Sequence, residues 1–382
     1  MKILELQALR AIAAYLVLFH HVLGTELGHA QRTGLPAEPL MTPFYGGYSG
    51  VDLFFAISGF VMVYATYRLP GGIGQSLQFW LARIFRIYPV WWLYCALFSV
   101  LCLIIAATLW HPDSFDPDKT NGWLFLIRSW FLIPQQNQPH LNVGWTLIHE
   151  VYFYLVFGLL LLLPRKLMLP ALLAWAGIVI FVAVVFPGLT SPPGALQVAL
   201  SPFTLEFIAG ALAGWLFATG RRWFPGPVLL AGIAAFAAAF ILVKAAPAPA
   251  LRVAIFAIPA ALVVYGASGL SGSTPGAPLR RWLGRLGDWS FSLYLSHPLV
   301  LICLGALFFK SESLAPALGL PASLFTICGN PLFTLAAIIA STIVAAVSYH
   351  VFEKPTLSFL NHRFRKRQTD PTKAKLLTEV AP

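Results

Sequence analysis

Apolar windows of about 17–22 residues recur along the chain, each closed by short polar or basic segments. They fall at residues 7–23, 50–67, 88–109, 144–163, 168–186, 201–218, 227–245, 251–269, 289–309 and 332–352. A helix rising about 1.5 Å per residue crosses most of a bilayer core in such a window. The pattern predicts an all-α fold: a polytopic membrane helical bundle of about ten transmembrane helices over residues 1–355, with a basic tail over 356–382. The first window, LQALRAIAAYLVLFHHV, carries Arg10 near one end and His20–His21 near the other. At about 100° per residue, Arg10 and His21 share one face and stand roughly 16 Å apart along the axis, while His20 falls some 80° away. A guanidinium inside an apolar helix costs about 2.5–3.5 kcal/mol on insertion scales unless it faces protein or water. That face of the first helix is therefore predicted to serve something inside the bundle.

Composition agrees with a membrane protein: of 382 residues 58% are apolar and 10% charged, with a mean hydropathy of +0.77. The formal net charge of +11 would raise nucleic acid as a partner for a soluble protein. Here the basic residues sit in short loops, so membrane topology explains them and nucleic-acid binding is not expected. With the N-terminus cytoplasmic, that side gathers Lys2, Arg68, Arg83, Arg86, Arg165, Lys166, Arg221, Arg222, Arg280, Arg281, Arg285 and the tail from Lys354 to Lys375. The opposite side holds only Arg32, Lys119, Arg128, Lys244, Arg252 and Lys310, with Glu26, Glu38, Asp113, Asp116, Asp118 and Glu312. Both termini are then predicted inside. Arg10 interrupts the first apolar run and no small-residue cleavage site follows, which predicts an uncleaved first span rather than a signal peptide. Two longer outer loops are expected, 24–49 and 110–143, the second with an apolar patch from Trp123 to Ile133 lying in the interface or capping the bundle. The tail is predicted polar and mobile. Cys95, Cys102, Cys303 and Cys328 have no metal-ligand spacing, so no metal site is expected.

With that topology the ionisable residues inside the spans sort into two levels. Towards the outer ends lie His21, Asp52, Glu150 with His149, and Glu206; towards the inner ends lie Arg10, Arg83, Arg86 and His297. Carboxylates at membrane depth are rare, and three at one level point to a shared polar cavity. Helix capping explains Asp52 about as well, since it sits in the first turn of its span. His21 is the candidate general base, with Glu150 as the first choice of carboxylate to orient it and Asp52 the second. Arg83 and Arg86, three apart, can grip one anion together with Arg10, as a phosphate-rich cytosolic ligand would need. No P-loop or GxGxxG is present. Ser58 and Gly59, in GVDLFFAISGF, lack the upstream glycine of a nucleophile elbow, and close helix packing accounts for them.

These pieces together resemble the acyltransferase 3 family of integral membrane acyltransferases, which O-acylate bacterial exopolysaccharides, O-antigens and related glycans. The resemblance rests on LQALRAIAAYLVLFHHV with its Arg–ten residues–His spacing, GVDLFFAISGF, RIFRIYP, WTLIHEVYFYL, SPFTLEFIAG, WSFSLYLSHP and YHVFEKP. It spans residues 6–355, and the opening motif is most similar to the exopolysaccharide-production members. It implies a multi-pass protein of the bacterial inner membrane, with Arg10 and His21 as the signature pair and Arg83, Arg86, Glu150 and Glu206 as matched positions. Some members carry an appended hydrolase-like domain, which is not expected here. The implied reaction moves an acyl group, acetyl by default with succinyl open, from cytosolic acyl-CoA to a hydroxyl of a glycan or lipid-linked saccharide. The arginines, with His297, would hold the CoA phosphates, and Glu206 and Ser58 would serve the acceptor or the packing. An acyl-histidine relay is an alternative to direct attack. A proton-coupled transporter or flippase is the rival class, and a scaffold within a polysaccharide-biosynthesis complex a third.

Overall fold

The computed structural model describes residues 3–34, 38–109, 122–135, 137–186, 194, 198–271 and 278–368, and among these there is no β-strand. The helices are α1 (Leu4–Thr33), α2 (Gly50–Thr66), α3 (Ile73–Leu109), α4 (Gly122–Trp130), α5 (Gly144–Leu160), α6 (Met168–Val185), α7 (Thr204–Ala218), α8 (Pro225–Leu242), α9 (Pro249–Gly269), α10 (Pro278–Leu314), α11 (Pro331–Ser348) and α12 (Lys354–Gln368). Among the described residues eight helical stretches are long and apolar enough to cross a membrane, and the shorter apolar helices Gly144–Leu160 and Thr204–Ala218 match the two remaining windows. The fold class is the one the hydrophobic pattern predicts.

Several elements outrun their predicted bounds, each for a local reason. α1 continues from the expected end at 23 to Thr33, so the first outer loop is partly helix. Its extension is tied down by Glu26, which is fully buried and accepts from Met41 N (3.1 Å) and Thr334 Oγ1 (3.2 Å), and by His29, whose Nε2 lies 3.0 Å from Glu312 Oε2. Gly34, at φ 69°, then ends the helix in the left-handed conformation that glycine adopts without a Cβ penalty. α3 begins at Ile73, which puts Arg83 and Arg86 inside a continuous helix rather than ahead of one. After α11 the chain passes through a π-helical turn, Tyr349–Glu353, into α12, so the tail expected to be mobile from 356 is helical as far as Gln368. The acidic run at 111–119 and the last part of the basic tail lie outside the described residues. The patch from Trp123 to Ile133 forms α4 and the turn after it, with Trp91 and Trp92 donating their indole N–H groups to Trp130 O at 3.1 and 3.0 Å.

Close packing of α2 on α7 sets the middle of the bundle. A methyl group added at Gly59 would stand 1.8 Å from Phe207 O, and one at Gly210 1.9 Å from Ala56 O. Only hydrogen fits at either position, and Gly210 and Gly214 give α7 the GxxxG spacing that lets membrane helices approach backbone to backbone. α9 packs on the other flank of α2, while α1 lies against α10 and α10 against α11. This arrangement brings α1, α2, α3, α5 and α10 around one polar interior. Gly59→Ala is expected to lower stability by about 1–3 kcal/mol, the usual cost of overpacking. Gly177→Ala, where the added methyl meets nothing within 4 Å, is expected to leave it unchanged. Denaturation of the two variants in mixed micelles checks this, and equal stabilities would contradict the packing assignment.

Candidate active site

Five helices line a cleft of about 110 Å³, with Arg10 from α1, Ser58 from α2, Arg83 and Arg86 from α3, Glu150 and Tyr154 from α5, and Ser290 and Tyr294 from α10 among its walls. The three guanidiniums predicted to gather do so. Arg86 Nη1 contacts Glu353 Oε1 at 2.6 Å, Ser292 Oγ donates to Glu353 Oε2 at 2.7 Å, and Glu353 is fully buried. Arg83 lies over the rings of Phe79 and Tyr154, each 5.7 Å away, and its Nε is buried without a hydrogen-bond partner. Among the described residues neither Arg10 nor Arg83 forms an ion pair. Even with Glu150 and Glu353 both ionised, three guanidiniums against two carboxylates leave the cleft with excess positive charge. Such a site, partly screened from water, gains from an incoming anion.

Glu150 is not where the spacing argument put it. Its Oε1 accepts from Ser58 Oγ at 3.0 Å and from the Tyr154 hydroxyl, so it belongs to the arginine cleft and does not orient His21. Tyr154 follows Glu150 by one helical turn, which places the hydroxyl over the carboxylate. Ser58, read as a packing residue, is a polar member of the same wall.

His21 instead stands beside His297, with ring centroids 4.8 Å apart. His297 was expected at the Arg10 level, but it lies mid-way along α10 and its ring contact puts it level with His21. His21 Nδ1 is 2.8 Å from Val17 O and His297 Nδ1 3.1 Å from Leu293 O. A carbonyl can only accept, so each Nδ1 carries the proton and each Nε2 keeps its lone pair, the tautomer a general base needs. The Nε2 of His297 is buried and unpartnered. Pro298, next in sequence, cannot donate the helical bond to Tyr294 O, which loosens α10 at this point. The Tyr294 ring lies 6.0 Å from that of His297 and also lines the cleft. A run of contacts therefore leads from the arginines through Tyr294 to the histidine pair, along the face of α1 that bears Arg10 and His21. His20 faces Tyr48, 5.7 Å away between centroids.

Asp52, the second choice as partner of His21, is committed elsewhere. Arg252 grips it with Nε at 2.9 and 3.1 Å and Nη2 at 2.7 Å, and also donates from Nη2 to Tyr48 O at 2.9 Å. Asp52 sits in the first turn of α2, where the helix dipole also favours its charge. Arg252, counted on the outer side from sequence, is buried within α9, with its guanidinium over Tyr48 (4.8 Å) and Phe203 (5.3 Å). Glu206 is fully buried beside this pair, and neither of its oxygens has a hydrogen-bond partner. His149 packs among Trp145, Phe55 and Phe203. The carboxylates expected at one level thus divide between two clusters. Among the described residues no group of three His, Cys, Asp or Glu is placed to hold a metal ion.

Comparison with known proteins decides the class. Residues 3–350 match the sequence model of the acyltransferase 3 family, described as an acyltransferase domain. The chain belongs to the acyltransferase 3 family. It is 30% identical over 336 residues to the exopolysaccharide production protein ExoZ of Rhizobium meliloti, covering 84% of this chain and 93% of that one. It is 27% identical over 319 residues to the acyltransferase MdmB of Streptomyces mycarofaciens, 78% of each chain. A shorter match, 28% over 134 residues, links 30% of this chain to 20% of the O-acetyltransferase OatA of Staphylococcus aureus. No solved structure matches the chain. The protein is therefore an ExoZ-like, multi-pass membrane acyltransferase that transfers groups other than aminoacyl groups.

In this acyltransferase 3 chain Glu353, Tyr154, Tyr294, Ser292 and Arg252 join these clusters without having been candidates from sequence. Glu353 had a signal, a lone carboxylate in YHVFEKP at the end of the last span. Arg252 had one too, since it falls inside its apolar window. Breaking the Asp52–Arg252 pair on one side only is the informative perturbation. Arg252→Leu leaves Asp52 buried and unpaired and is expected to cost about 3–5 kcal/mol, whereas Asp52→Leu/Arg252→Leu together recover most of it. Denaturation midpoints of the three proteins check this; a double variant as unstable as the single would show that the pair is not the source of the loss.

Proposed function

We propose that this acyltransferase moves an acyl group, acetyl in the simplest case, from a cytosolic acyl-CoA to a hydroxyl of a cell-surface glycan or its lipid-linked precursor. One observation carries the donor half: Arg10 and Arg83 point unpaired into a cleft that already holds a third guanidinium. A charge removed from water without a partner costs several kcal/mol, and the phosphates of a CoA would supply that partner. The basic loops favour the Arg10 end of α1 as the cytoplasmic one. The names of ExoZ and OatA support a glycan-related O-acetyl transfer.

His21 acts as general base. Its Nε2 takes the proton of the acceptor hydroxyl as the oxygen attacks the thioester carbonyl. The tetrahedral intermediate collapses with cleavage of the C–S bond, and the imidazolium returns the proton to the departing thiolate. Ester and free CoA thiol account for every atom. The phosphates at Arg10 and the thioester at His21 sit roughly 16 Å apart along one helix, a span for the extended pantetheine arm. Glu150, with Ser58 and Tyr154, shapes the cleft around the arm.

Purified protein given labelled acetyl-CoA and membrane glycan is expected to transfer label. His21→Ala is expected to lose about 10²–10⁴ in rate, while binding CoA as before. Arg10→Ala and Arg83→Ala are expected to weaken CoA binding instead. Unchanged transfer by His21→Ala, across several acyl donors, would overturn the mechanism; substrate flux without acylation would support a carrier.

A further inference from the structure

The carboxylate of Glu353 is fully buried, faces Arg86 with one oxygen and Ser292 with the other, and does not itself line the cleft. Its backbone forms the last residue of the π-helical turn Tyr349–Glu353, a local widening that regular helix would not produce and that is frequent at functional sites. We infer that Glu353 is a positioning residue of the donor site, fixing the Arg86 guanidinium so that its remaining N–H groups face the anion. The inference rests on the reading of the cleft as the acyl-CoA site.

Three features separate this role from plain stabilisation. First, the ion pair uses Nη1 alone, and a guanidinium has five N–H donors in a rigid fork. With one corner pinned, the plane of the fork is set, and Nε and Nη2 are left for a second acceptor. Phe291, 5.3 Å from the Arg86 Cζ, supports the same plane. Second, Ser292 holds the far oxygen of Glu353, so the carboxylate cannot rotate to follow Arg86. It acts as a fixed post. Third, Glu353 is fully buried while the Arg86 side chain is 26% exposed, and a carboxylate so buried often adds no more stability than a well-packed apolar residue of similar volume. A membrane helix that needed only to hold α12 in place would gain as much from a leucine. The pair also lies in the field of Arg10, so it lowers the mutual repulsion of guanidiniums that must stand together before an anion arrives.

The test uses the full chain in nanodiscs, with CoA as the probe for binding and labelled acetyl-CoA for turnover. Glu353→Gln is expected to weaken CoA binding and raise the donor KM about tenfold, with kcat at saturating donor falling less than about threefold. Glu353→Asp is expected to recover part of the loss. Ser292→Ala, which leaves both charges in place, is expected to shift KM the same way by a smaller factor. Because Glu353 acts through Arg86, Arg86→Gln/Glu353→Gln should bind CoA no worse than Arg86→Gln alone, a non-additivity that a merely structural role would not give. Wild-type CoA affinity in Glu353→Gln with a lowered melting temperature, or additive losses in the double variant, would overturn the assignment while leaving the donor site intact. A wild-type protein that binds no CoA would overturn the donor reading itself, and this inference with it.

Discussion

The constraint on which the architecture depends is the burial of positive charge in an apolar bundle. Arg10 lies within the first membrane helix and Arg83 and Arg86 within the third, and each would be costly facing lipid. The chain answers by turning all three inward onto one cleft and setting Glu353 and Glu150 among them. The compensation is incomplete, with Arg10 and Arg83 outside any ion pair among the described residues. The proposed donor site therefore keeps unspent positive charge that is already in place before an anion arrives.

The rest of the bundle supplies rigidity for that site. Backbone contact at Gly59 and Gly210 locks α2 to α7, and the Asp52–Arg252 pair locks α2 to α9. α2 is thereby held on two sides while it presents Ser58 to the cleft. α1 carries both ends of the proposed chemistry, the guanidinium and the imidazole, so their separation is fixed by helix geometry rather than by a flexible loop. The loosened segment is on the facing helix, where Pro298 follows His297 and Tyr294 stands between cleft and histidines.

Much of this was legible in the sequence. Apolar windows located the helices, and helical periodicity put Arg10 and His21 on one face of α1. The i, i+3 spacing of Arg83 and Arg86 put both on one helix face, and both line the cleft. Less legible was which carboxylate meets which cation. Depth along a helix was judged from window edges, and α3 and α10 begin well before their apolar cores; His297, ranked with Arg10, stands beside His21 instead. Glu150 and Asp52 were both assigned to His21 because all three were ranked at one depth. Depth says nothing about azimuth: Glu150 turns to Ser58 and Tyr154, and Asp52 to an arginine two hundred residues away in sequence. Glu353 escaped because its partner, Arg86, lies on a helix that packs against it only in three dimensions.

The central claim is that one donor molecule spans α1 from the guanidinium cluster to His21. A structure of the chain with CoA bound tests it most directly. The account predicts phosphate oxygens within hydrogen-bond reach of Arg10, Arg83 or Arg86, and the thiol sulfur about 3–4 Å from where a hydroxyl contacting His21 Nε2 would attack. Phosphates bound away from the three arginines, or a sulfur pointing away from the histidine pair, would contradict it.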